Sequence, residues 1–480
     1  MLQILRRLAS VVWLCSASFA AVAAAPAKPA SDPSNVLARD LFKQLIEINT
    51  TESVGSVTAA AEAMAKAVRN AGYPAEDVQI LGPTERKKNL VVRLRGTGKH
   101  KPVLLIGHLD VVEARREDWT TDPFQFVEKE GYFYGRGTQD MKNGDAIMTA
   151  TLIRLKKENF RPSRDIIMAL TADEESGQHN GVDWLFKNHR ELVDAEFVLN
   201  HDGASIPTDK GEPLSYDMTS SEKVYADYML TTTNPGGHSS RPTEDNAIYE
   251  LMDGLKKFAE YDFPFELTEI TRAYYQSMSK IEKGQRAADM LAVTREPPDQ
   301  AAIARLSKDP TDHSILHTTC VATRLNAGHA NNALPQRAQA NVNCRILPGH
   351  SQEEVRQALI KVLASPKITV QYVADSGELL EKAPDRKGFP PPPPRPEVMN
   401  PLKKLVNEFW PGLQIVPSMA IGASDDVWVN AAGLTSYTVT GIAIDRDDER
   451  AHGQDERLRM DSFYTGNEFF YRYIKALTAK

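Results

Sequence analysis

The chain has 480 residues, too many for one ordinary core, so two domains are the starting expectation. Hydrophobic content of 41% and charged content of 25% are those of an ordinary soluble globular protein. A net charge of -7 without a basic stripe argues against nucleic acid as a partner.

Residues 1–25 read as a secretory signal peptide: Arg6 and Arg7 precede an apolar stretch from Leu8 to Phe19, and Ala20 to Ala25 offers small residues for cleavage. The expected location is therefore the periplasm or the exterior, with no stable membrane span after cleavage. The mature chain opens with helical patterns over Ser31–Asn49 and Ala59–Ala71, then strands at Leu90–Leu94 and Val103–Ile106. A helix over Asp145–Glu158 leads to two further unbroken apolar runs, Ile166–Leu170 and Phe197–Leu199. Such runs suit strands buried on both faces of a parallel sheet. Strands alternating with helices indicate an α/β domain with a mostly parallel sheet, first part 31–216.

Near Asp217 the pattern changes. Val224–Thr232 alternates apolar and polar residues as a half-exposed antiparallel strand does, and Asn246–Ala259 is helical. Phe263–Asp309 is charged and helical in character, without strand signal. Strands at Leu316–Leu325, Ala338–Ile346 and Ile368–Val373, with a helix at Gln352–Leu363, complete an α+β domain inserted at 217–376. Residues 377–396 form a connector in which Pro390 to Pro394 are consecutive, an extended polyproline-type segment. The α/β pattern resumes over 397–480, with a helix at Met399–Phe409, a strand at Ser436–Thr440 and a final helix from Asp461. The mature chain keeps Cys320 and Cys344. In an oxidising compartment they could pair, and as buried thiols they could equally stay free.

The chemistry-bearing residues sit where the apolar runs stop, and open parallel sheets place their sites beyond the carboxyl ends of their strands. His108 and Asp110 follow the first run and, by strand alternation, point to one side. His108 can bind a metal while Asp110 orients an imidazole. Asp140, in a glycine-rich loop, can offer one oxygen to each of two metals. Glu174 and Glu175 are adjacent, so one can ligate while the other stands over a bound water. Asp202 and His452 complete one histidine and one terminal carboxylate per metal. A mixed nitrogen and oxygen set suits two Zn2+, with Co2+ or Mn2+ as substitutes. His201, beside Asp202, falls on the opposite side by alternation.

Four strings carry a family resemblance: Gly107-His108-Leu109-Asp110-Val111-Val112, Gly135-Arg136-Gly137-x-x-Asp140-Met141-Lys142, Asp173-Glu174-Glu175-x-Gly177 and His452-Gly453-Gln454-Asp455-Glu456-Arg457. In order and spacing they resemble the co-catalytic zinc exopeptidases and deacylases. That family includes carboxypeptidase S, aminoacylase, acetylornithine deacetylase and succinyl-diaminopimelate desuccinylase. The resemblance implies a zinc-exopeptidase catalytic domain with an inserted lid that often dimerises. It assigns His108, Asp140 and Asp202 to one metal and Asp140, Glu175 and His452 to the other. Glu174 becomes the general base, Asp110 the partner of His108, and the Asp140–Met141 bond is expected to be cis.

On the lid, His238 corresponds to an oxyanion-holding histidine, and Asn332 and Arg345 to substrate-binding positions. One departure stands out: in Gly422-Ala423-Ser424-Asp425-Asp426-Val427 the family usually has an arginine where Val427 stands, so Asp425 and Asp426 are expected to make the pocket more acidic. The reading is a two-zinc metallopeptidase acting on small peptides, as a dipeptidase or carboxypeptidase. The alternative is an N-acyl amino acid deacylase of the aminoacylase or desuccinylase kind. An inactive binding protein on the same fold would be expected to lack Glu174 or a ligand, and none is missing.

Overall fold

The computed structural model describes residues 28–175, 179–374, 376–385 and 395–479. The signal segment and the run of prolines lie outside the described residues. Among the described residues no helix is long and apolar enough to cross a membrane.

A six-stranded sheet forms the centre, in the order Val78–Thr84, Lys87–Leu94, Ile166–Thr171, Val103–His108, Phe197–Asn200 and Ser436–Thr438. The first two strands form an antiparallel pair at one edge, and the last four run parallel. The three apolar runs read as doubly buried strands are buried at every position. Alternation divides their side chains between two cores. Leu105, Met168, Leu170, Phe197 and Leu199 face the helices Pro33–Ile46, Lys142–Lys157 and Met460–Leu477. Leu104, Ile106, Ile167, Ala169 and Val198 face the smaller layer that contains Val182, Leu185 and Val429. Because the four strands are parallel, His108, the Asp173–Glu175 turn and Asp202 all emerge from one edge of the sheet.

The lid carries a five-stranded sheet ordered Thr319–Ala327, Arg337–Ile346, Val224–Thr233, Ile368–Val373 and Leu379–Leu380, antiparallel throughout. Helices Ala247–Ala259 and Gln352–Leu363 cover one face through Leu251, Phe258, Leu359 and Leu363. Cys320 and Cys344 lie directly opposite each other in this sheet and form a disulfide.

The join between domains differs from the boundary read at 217. Strand Tyr216–Glu222 pairs in parallel with Ile415–Ala420, so the chain leaves the catalytic half only at Lys223. Strand Ile415–Ala420 had no sequence signal, because Pro417 breaks its apolar pattern. The helices between 269 and 316 do not cover the lid sheet. Their core of Tyr275, Met278, Met290, Ile303 and Leu316 includes Val416 of that same strand, which places this part of the insertion against the catalytic half.

Candidate metal centre

Among the described residues, three groups of side chains bring possible ligand atoms within 4.8 Å of one another: His108, Asp140 and Asp202; Asp140, Glu175 and His452; and His108, Glu174 and Glu175. Asp140 joins the first two. Its Oδ1 lies 3.0 Å from His108 Nε2 and its Oδ2 3.1 Å from His452 Nε2, so each oxygen faces a different histidine. His452 Nε2 is also 3.1 Å from Glu175 Oε1. His108 reaches the site through Nε2 because Nδ1 is turned to the Asp110 carbonyl oxygen at 3.0 Å, which fixes the ring.

The electrostatics fit a cation. Burial opposes ionisation of Asp140, but hydrogen bonds with His108 and His452 outweigh it and hold this carboxyl well below the usual range. Burial, with the neighbouring Asp140 charge, pushes Asp202 up to about 7. Burial chiefly, with Asp425, Asp202 and Glu175 adding repulsion, lifts Glu174 well above its ordinary value. Four carboxylates crowd two imidazoles, an imbalance that divalent cations neutralise.

Asp110 acts differently from the reading as the imidazole's carboxylate partner. Its Oδ1 is 3.9 Å from His108 Nδ1, while its two oxygens accept the backbone N–H groups of Glu174 and Glu175 at 3.2 and 3.0 Å. The carboxylate therefore fixes the turn that presents both glutamates, and the imidazole takes the main-chain oxygen. On the other side of that turn Asp173 stands at φ +68°, held by Lys87 Nζ at 2.7 Å and the His179 N–H at 2.6 Å. His452 is also in the left-handed region, at φ +63°. The Asp140–Met141 peptide bond is cis.

His201 is buried against the ring of Phe470, with centroids 4.5 Å apart, on the opposite side of the strand end from Asp202. Asp425 and Asp426 do not line an open pocket. Asp425 accepts hydrogen bonds from Thr171 Oγ1 and Asn180 Nδ2, and Asp426 from Asn200 Nδ2, so both are buried beneath the strand ends.

The three lid residues are not brought to the cluster. His238 is exposed in a two-residue pairing with Ala333–Leu334, its Nδ1 bound to Ser240. The Asn332 carbonyl accepts the Ser239 N–H on the same turn. Arg345 lies on the lid sheet with its guanidinium 4.7 Å from the Tyr225 ring centroid.

Against known proteins, the model of peptidase family M20/M25/M40 matches residues 104–476. The chain belongs to this family. It is a metal-dependent hydrolase of peptide or N-acyl amino acid bonds. A probable carboxypeptidase S-like protein of Dictyostelium discoideum is 28% identical, over 78% of this chain and 71% of its own. The human N-fatty-acyl-amino acid synthase/hydrolase PM20D1 is 26% identical, over 78% and 74%. The M20 metallo-carboxypeptidase Sso-CP2 of Sulfolobus solfataricus shares the fold with a TM-score of 0.67 at 16% identity, covering 92% of this chain and 99% of that one.

One M20 residue escaped sequence reasoning. Glu456 is fully buried and accepts from Arg136 Nη1 at 2.6 Å and from the backbone N–H groups of Gly137, Gln139 and Asp140 at 3.0, 2.6 and 3.1 Å. It closes the glycine-rich loop around itself and so sets where Asp140 points. The available signal was a glutamate four residues after His452 in a motif otherwise valued only for its histidine.

Proposed function

We propose that this M20 protein is a two-zinc exopeptidase of small peptides, with His108, Asp140 and Asp202 holding one ion and Asp140, Glu175 and His452 the other. The observation that carries this reading is the sharing of Asp140, one oxygen toward each histidine, with Glu174 beside the cluster but not needed in either set. The mixture of imidazole and carboxylate suits zinc. When bound, the ions would supply Lewis acidity to the substrate carbonyl and make water more acidic.

Glu174 takes a proton from the attacking water and returns it to the leaving amine; its raised affinity for protons suits that exchange. Asp110 holds the turn in place while this happens. His238 stabilises the oxyanion, and Asn332 and Arg345 receive the substrate's terminal carboxylate, once the lid closes.

Deacylation of N-acyl amino acids remains the second reading, favoured by the likeness to PM20D1. The periplasm or cell exterior suits the disulfide, which supports reading residues 1–25 as a leader. A homodimer through the lid is supported by its edge strand Thr319–Ala327, where Val321 and Leu325 are exposed.

Glu174→Gln tests the mechanism. The variant should bind two equivalents of zinc and lose several orders of magnitude in kcat, since a general base alone supplies about 10²–10⁴. Wild-type turnover at full metal content would remove Glu174 from this role.

A further inference from the structure

The turn that carries Glu174 and Glu175 leaves the strand Ile166–Thr171 and is held from both of that strand's neighbours. On one side Asp110, after the parallel strand Val103–His108, accepts the N–H groups of both glutamates. On the other side runs the antiparallel strand Lys87–Leu94, whose ladder with Ile166–Thr171 stops where Leu90 faces Leu170. Beyond that point its side chains take over. Asn89 Oδ1 accepts the Ala172 N–H at 2.9 Å, and Lys87, on the same face by alternation, donates from Nζ to Asp173 Oδ1 at 2.7 Å.

These contacts meet where the backbone resists. Asp173 has φ +68°, a left-handed conformation that side chains seldom adopt and that aspartate and asparagine tolerate better than most. Such a conformation persists only where its surroundings enforce it. The Asp173 side chain is 2% exposed, and its second oxygen accepts the His179 N–H at 2.6 Å. A carboxylate buried to this extent is costly unless paired, and Lys87 supplies the pair. The ammonium is fixed from its far side as well, by Glu52 Oε2 at 2.6 Å on the loop after the first helix.

We infer that Lys87 is a positioning residue for the base and for one metal ligand: acting through Asp173, it sets where the turn presents Glu174 and Glu175. The inference rests on the roles proposed above for those two glutamates, and it needs no contact of Lys87 with substrate or ion. Without the ammonium the turn relaxes toward an ordinary backbone. Asp110 still holds its two N–H groups, so the turn shifts and does not unfold. Groups that orient metal ligands or reacting groups from behind are worth about tenfold to a hundredfold in affinity or rate, the scale of a displacement of about 1 Å. Glu175 belongs with Asp140 and His452, whereas His108, Asp140 and Asp202 come from other segments. One ion site should therefore feel the change and the other should not.

Lys87→Met in the full-length protein gives two readouts. Competition with a chelator should show one zinc equivalent bound about tenfold to a hundredfold more weakly than in wild type, and the other within about threefold. With both equivalents loaded, kcat on Ala-Leu or N-acetyl-Leu, whichever the wild type cleaves faster, should fall about tenfold to a hundredfold, with KM within about twofold. Lys87→Arg keeps a donor to Asp173 and should recover most of both losses, while Glu52→Gln should cause neither. Asp173→Asn suits the same left-handed backbone; it should reproduce both losses, and it decides the matter if Lys87→Met folds poorly. Where both fold, the double variant should lose no more than Asp173→Asn alone. Wild-type affinity for both zinc equivalents in Lys87→Met, equal weakening of the two, or equal losses in Glu52→Gln would overturn the inference. Full turnover by Glu174→Gln would instead remove the base beneath it, and the zinc readout would still decide whether Lys87 places Glu175.

Discussion

Removing the Glu456 carboxylate should both loosen the fold and weaken metal binding. Arg136 is 3% exposed and its partner 0%, so Glu456→Ala strands a guanidinium where water has little access. Breaking one half of a buried pair costs about 3–5 kcal/mol. The backbone N–H groups of Gly137, Gln139 and Asp140 lose their acceptor at the same time, and each buried donor left unsatisfied costs about 1–3 kcal/mol. Water entering the space vacated by the side chain recovers part of this, so a net loss of about 4 kcal/mol is expected. That is a large share of the roughly 5–15 kcal/mol that holds a domain folded. Urea denaturation of the metal-free variant measures it. Competition with a chelator measures the second effect, because Asp140 follows the loop that Glu456 anchors: zinc affinity should drop at least tenfold. Adding Arg136→Met should restore part of the stability by removing the stranded charge, but not the metal affinity, since the three N–H groups still lack their acceptor. Zinc affinity equal to wild type in a destabilised Glu456→Ala protein would refute the link between this carboxylate and the position of Asp140.

Arg345→Ala should cut kcat/KM at least tenfold on substrates with a free terminal carboxylate, a loss of roughly 2–5 kcal/mol for a buried bidentate contact. It should also narrow the gap to amidated substrates, and equal wild-type rates on both kinds would remove Arg345 from the site. Hydrogen bonds with Asp140 and Glu175 raise His452 to about 10 in the metal-free protein. Its contribution to stability is thus complete below about 6.5 and lost as pH rises through 10, while zinc must displace its proton. Calorimetry in buffers of different ionisation enthalpy should show proton release on zinc binding near pH 7.5, and its absence would contradict the pairing. Replacing both Cys320 and Cys344 with serine opens a link across 24 residues, which should cost about 3 kcal/mol of lid stability in urea. Zinc stoichiometry should remain two, because the disulfide belongs to the lid core.

The parts of this fold legible in the sequence are those in which one physical constraint acts on consecutive residues. A strand buried on both faces needs an unbroken apolar run, so Val103–Ile106, Ile166–Leu170 and Phe197–Leu199 declared themselves, and the polar residues ending each run marked the edge of the sheet. Where two distant segments satisfy each other, neither contains the pattern. Strand Tyr132–Tyr134 pairs with Arg457–Arg459 across more than three hundred residues, and Glu456 meets its four donors there. Strand Ile415–Ala420 carries Pro417, which reads as a break until Tyr216–Glu222 supplies its pair. The same limit separates the metal ligands from the lid residues. His108, Glu175 and Asp202 follow strand ends of one sheet, so their convergence follows from topology, while Asp140 and His452 reach them on loops. His238, Asn332 and Arg345 belong to a second core, joined to the first at Lys223 on one side, and no local pattern encodes where a second body stands relative to the first. Asp110 shows the limit at the scale of one side chain. Alternation placed it beside His108, but the turn that follows the neighbouring strand Ile166–Thr171 decided that its carboxylate holds the glutamates and leaves the imidazole to a main-chain oxygen.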